Sequence, residues 1–175
     1  IVPPGLVTEP SSVTVSPVNE TEPLASVRID APSARTTSPR PRIVLEKFGF
    51  LKKLDLSFNK MTSLPDLSSF PVLVELDLKG NQLLELNESI GACTSLHTLS
   101  LNGNALSTLP PAIGKLVNLE KLEIANNNLV SLPKEIGRLE NLNELFLTGN
   151  PLEELPPSVG ALRCITLMPP EIHPR

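Results

Sequence analysis

A period of 23 residues constrains this chain more than any other feature. Leucine opens each line at Leu51, Leu73, Leu96, Leu119 and Leu142, and only the interval from Leu51 to Leu73 is shortened, to 22. Position four is Leu54, Leu76, Leu99, Leu122 and Leu145, and position six is Leu56, Leu78, Leu101, Ile124 and Leu147. Position nine is Asn59, Asn81, Asn104, Asn127 and Asn150. Side chains alternate along a strand, so positions four and six enter one core while three, five and seven face out. One unit cannot bury that apolar side alone, but a stack of units does. At position nine the chain turns away from the sheet, and an asparagine amide offers donors and an acceptor to backbone groups that have lost their ladder partners.

Each line continues x-L-x-x-L-P-x-x-I-G-x-L. Pro65, Pro110, Pro133 and Pro156, with Asn87 as the exception, suit the first position of a short helical turn. Gly91, Gly114, Gly137 and Gly160 are expected to end those turns in the left-handed conformation. The first repeat carries Leu67-Ser-Ser-Phe70 and no glycine, which predicts an irregular turn.

These columns resemble the leucine-rich repeat family, L-x-x-L-x-L-x-x-N-x-L. The proline-glycine half narrows the resemblance to the intracellular 23-residue class of Ras-pathway scaffold proteins, plant Ras-group proteins and the repeat domain of yeast adenylate cyclase. The resemblance implies an α/β fold: a right-handed solenoid with a parallel concave sheet and short 3₁₀ or α turns on the convex side. It implies protein binding without catalysis, and brings with it no catalytic residue, cofactor or metal ligand.

The repeats occupy residues 51–164. Residues 43–50 are expected to form a capping half-repeat, since Leu45 and Phe48 precede Leu51 at the offsets at which Ile113 and Leu116 precede Leu119. Residues 165–175 read as a closing strand and tail, with Ile165 and Met168 at positions one and four of a sixth line that Pro169 and Pro170 cut short. Residues 1–42 hold eight prolines among Ser, Thr, Val and Ala, the composition of an extended arm. Within it, only Leu24 to Asp30 alternates like a strand.

Tryptophan and tyrosine are absent, so the core is aliphatic. Residues 43–168 contain ten basic and fourteen acidic side chains, a balance that disfavours nucleic acid on the solenoid. No apolar run approaches the roughly 18 residues of a membrane-spanning helix. Cys93 shares a column with Leu116, Leu139 and Leu162 and is expected to be a small buried hydrophobe. At a coil spacing of about 4.8 Å it would lie roughly 14 Å from Cys164, too far for a disulfide. The cysteine-rich caps of secreted repeat proteins are missing, which favours a reducing intracellular compartment. An organellar location stays open because the chain begins at Ile1 rather than Met.

No catalytic constellation emerges. Glu153 and Glu154 fall on the convex side, and neither His97 nor His173 has metal-ligand neighbours at the right spacing. The sequons at Asn19 and Asn87 are near chance, and the arm lacks P-x-x-P. The candidate protein-binding surface is therefore the outward strand positions: Lys53, Asp55, Phe58, Glu75, Asp77, Lys79, His97, Ser100, Asn102, Lys121, Glu123, Glu144 and Phe146. Asp55 and Asp77 adjoin in one column and need compensation by Lys53, Lys79 or a basic partner. Gly80, Gly103 and Gly149 at position eight are read as leaving the groove open to a partner's backbone. Arg28, Arg35, Arg40 and Arg42 are candidate arm contacts.

The expected role is a non-enzymatic interaction module, a structural or scaffold subunit of a larger assembly, with no cofactor or small-molecule substrate. Two other readings stay open. One is the targeting domain of a regulatory enzyme, a phosphatase or ubiquitin-ligase component, whose catalytic part lies outside this chain. The other is a ribonucleoprotein subunit whose arm touches RNA.

Overall fold

The computed structural model describes residues 12–16, 26–30, 50–162 and 166–168. Eight strands form one sheet in sequence order: β1 (Ser12–Ser16), β2 (Ser26–Asp30), β3 (Lys53–Asp55), β4 (Glu75–Asp77), β5 (Thr98–Ser100), β6 (Lys121–Glu123), β7 (Glu144–Phe146) and β8 (Thr166–Met168). β1 and β2 are antiparallel, and every later pairing is parallel. Leu54, Leu76, Leu99, Leu122 and Leu145 are register partners in turn, which makes position four a single buried row across the sheet. The solenoid expected from the repeats is the fold observed.

The core is aliphatic apart from Phe70. Leu51, Leu73, Leu96, Leu119 and Leu142 are fully buried, as are positions four and six to within 1%. Phe70 and Cys93, both fully buried, stand in one column with Leu116 and Leu139. Cys93 Sγ donates to the Leu67 carbonyl at 3.7 Å, and burial pushes its thiol up to about 11.

The asparagine column staples coils together. Asn127 Nδ2 donates to Leu101 O at 2.9 Å in the preceding coil and to Ile124 O at 3.2 Å in its own, while its Oδ1 accepts from Leu106 N at 3.1 Å. Asn81, Asn104 and Asn150 repeat the pattern, donating back to Leu56, Leu78 and Ile124. The amides thus bond backbone, not one another.

Four convex turns are 3₁₀: Glu88–Ala92, Pro111–Lys115, Lys134–Arg138 and Pro157–Ala161. The first repeat has none, and its short turn closes by Phe70 N donating to Leu67 O at 3.0 Å. Pro110, Pro133 and Pro156 stand one residue earlier than expected, at the N-cap, with extended backbone (ψ 150, 144 and 144°). Asn87 fills the same place by capping, its Oδ1 accepting from Ser89 N at 3.1 Å.

The turn glycines are not left-handed. None of Gly91, Gly114, Gly137 and Gly160 has positive φ. At Gly114 an added Cβ would sit 2.7 Å from Glu135 O, and at Gly137 2.7 Å from Ser158 O. These glycines let the next coil approach. Gly160 has nothing within 4 Å of that position.

β8 joins the sheet one residue out of the expected phase. Leu145 pairs with Leu167, so Leu167 and not Met168 continues position four. The preceding turn also differs from the others. Cys93, Leu116 and Leu139 leave their turns at ψ 55, 58 and 67°, whereas Leu162 leaves at ψ 140°, in the extended region. The proposed cap at 43–50 lies outside the described residues except Phe50, an exposed turn residue. β2 continues the sheet beyond β3 with Val27 in line with Leu54, and β1 folds back on it.

Candidate protein-binding surface

Three-residue strands leave positions three and five on one open face, and the register lines them up. Position three runs Lys53, Glu75, Thr98, Lys121, Glu144, and position five runs Asp55, Asp77, Ser100, Glu123, Phe146. Opposite charges pair across strands, Lys53 Nζ reaching Glu75 at 2.7 Å and Lys121 Nζ reaching Glu144 at 3.4 Å, and Lys121 also reaches Glu123 on its own strand at 3.0 Å. Such exposed pairs contribute little stability, about 0 to 1 kcal/mol each. Their effect is to hold side chains in place.

Asp55 and Asp77 are register neighbours, as the column predicts, and each is compensated separately. Asp77 binds Lys79 Nζ at 2.9 Å and accepts from Lys79 N at 3.0 Å. Asp55 accepts from Ser57 N at 2.9 Å and Ser57 Oγ at 2.6 Å. Lys53 serves Glu75 instead of either aspartate. The hydrogen bond with Asp77, then its charge, raises the Lys79 pKa. Lys121 is raised mainly by its hydrogen bond to Glu123. Burial pushes Glu123 up, but hydrogen bonds from Ser100 and Lys121 and the lysine charges outweigh it, so its carboxyl sits below the usual range.

Two aromatic rings flank these charges. Lys79 Nζ lies 5.9 Å from the Phe58 ring centroid, and Lys121 Nζ lies 5.4 Å from that of Phe146. Phe58 is 64% exposed and takes φ +58°. Position eight is left-handed in every repeat, since Gly80, Gly103, Asn126 and Gly149 have φ of +66, +65, +55 and +74°. Glycine is the residue that takes this turn without strain. A bulky residue in that conformation is strained by about 1 to 3 kcal/mol. A Cβ on Gly80 would overlap the Phe58 ring, so the ring packs against that glycine.

Other candidates sit elsewhere. His97 is at position two, ahead of β5, with Nδ1 2.7 Å from Ser95 O, and is half-buried rather than an exposed strand residue. Ser100 is buried, donating to the Glu123 carboxylate. Asn102 turns its Oδ1 to Ala125 N at 2.8 Å and stiffens the sheet's end. Arg28 lies in β2, in register with Asp55, so the position-five row begins with a basic residue. Arg35, Arg40 and Arg42 are outside the described residues. The strand β1 and the left-handed Phe58 escaped sequence reasoning, although glycine at three of the five position-eight sites is the signal that marks the latter.

Among the described residues no cluster of His, Cys, Asp or Glu could hold a metal ion. No helix there is long and apolar enough to cross a membrane.

A family model described as leucine rich repeat matches residues 94–152, and one described as two copies of the repeat matches residues 50–91. Among solved structures, a repeat protein of Leptospira interrogans is 38% identical at a TM-score of 0.59, over 69% of this chain and 33% of that one. An internalin of Listeria monocytogenes shares the fold at 23% identity and a TM-score of 0.59, over 75% of this chain and 37% of that one. The chain thus spans about a third of the length of each. No curated protein matches it.

Proposed function

Because this chain belongs to the leucine-rich repeat family, whose members generally mediate protein–protein interaction, we propose that it is a non-enzymatic scaffold that binds a protein partner on its concave sheet. The observation that carries this reading is Phe58: a bulky residue held at φ +58° with its ring exposed, where the other repeats have glycine or asparagine. Strain of that kind persists where function selects it. Phe146 and its lysine form a second apolar contact two strands beyond the centre of the sheet, and the paired charges between them supply a polar setting.

We also read the P-x-x-I-G convex halves as those of the intracellular 23-residue class, and the buried, high-pKa Cys93 suits a reducing compartment. In this reading the partner belongs to a multi-subunit assembly.

Size-exclusion of a native extract, following this chain by mass spectrometry, tests both parts. The wild-type chain is expected in a large particle, a Phe58→Ala/Phe146→Ala variant outside it, and a convex Leu84→Ser control in the particle. A wild-type chain running free of any other protein would rule out the assembly. A double variant that stays in the particle would rule out the concave contact.

A further inference from the structure

The sheet's N-terminal edge offers something the concave face does not. Among the described residues β1 has a neighbour on one side only, β2, so one row of its backbone donors and acceptors has no strand beside it. Exposed edges usually carry a charge, a proline or a bulge that blocks further pairing. β1 reads Ser12-Val-Thr-Val-Ser16 and contains none of these. At the opposite edge, Pro169 and Pro170 follow β8 directly and lack amide hydrogens.

The five residues of β1 are a palindrome about Thr14. Laid antiparallel on a second copy across a two-fold axis, Thr14 meets Thr14, Val13 meets Val15 and Ser12 meets Ser16. Every pair is then one that stabilises antiparallel strands, a hydroxyl pair or a β-branched apolar pair, and no like charges meet. Pro10 and Pro17 bracket the segment, so the register cannot slide far without setting a proline in the ladder. We propose that β1 is a self-association edge: two copies join β1 to β1 as an isologous pair, continuing the sheet from one solenoid into the other. This stands apart from the concave contact, which it leaves uncovered at the level of backbone topology.

The test uses the full chain. Sedimentation across the micromolar range should show the mass rising from 18.9 kDa to twice that value. Ser12→Lys/Ser16→Lys sets like charges opposite each other and should hold the chain at the single mass. Ser12→Lys/Ser16→Glu sets opposite charges together in the same register and should restore the doubled mass, separating repulsion from mere loss of the hairpin. Thr14→Cys should cross-link between copies under mild oxidation, since facing residues lie about 4.5 to 5.5 Å apart, and the wild-type chain should not. A single mass for the wild-type chain at every concentration overturns the proposal. So does a dimer indifferent to the two lysines, or failure of the lysine–glutamate variant to restore it.

Discussion

Glycine does two different jobs here, and the difference is visible only in atoms. At position eight, φ near +65° demands it, and at position nineteen the neighbouring coil's backbone does. Sequence reasoning reversed the two, because a conserved-looking glycine after a helical turn ordinarily signals a left-handed cap. The distinction is measurable. Gly114→Ala should lower stability by about 1 to 3 kcal/mol through overpacking against Glu135, and Gly160→Ala should change it little in the same denaturation experiment. Phe58→Gly should behave in the opposite sense, raising the unfolding free energy by about 1 kcal/mol as left-handed strain is relieved, while weakening partner capture. Cys93 gives the pH signature. Its folded thiol pKa is raised from 9.0 to about 11, so an unfolded chain ionises first. Stability should be undisturbed below pH 9 and fall as pH rises from there towards 11, by about 1.4 kcal/mol per unit. A Cys93→Ala variant should lack that slope in urea unfolding.

At the level of the coil, the leucine columns, the asparagine ladder and the short convex turns were all legible, because each follows from alternation and from backbone groups that need partners. Less legible were the features set by the ends of the stack. β8 pairs one residue out of phase after a turn that ends differently at Leu162, and β1 joins an edge that no local pattern announces. The binding candidates divide the same way: column arithmetic placed Lys53, Asp77 and Lys121 on one face, but not that Ser100 would be buried behind Glu123. The middle coil should be the most sensitive to deletion. Leu122→Ala should cost about 2 to 5 kcal/mol in chemical denaturation, and Asn127→Ala about 1 to 3 kcal/mol, since it leaves Leu101 O, Ile124 O and Leu106 N buried without that partner.

Over the whole molecule, contacts run between neighbouring coils, so stability accumulates along one axis rather than around one centre. The staples also have a direction. Asn81, Asn104, Asn127 and Asn150 each reach back to backbone 25 or 26 residues earlier and accept from amides 20 to 22 residues earlier. Every partner an asparagine needs has therefore already been synthesised when that asparagine emerges from the ribosome. The solenoid can be wound on as translation proceeds, one coil per 23 codons, with each new asparagine locking its turn onto a finished template.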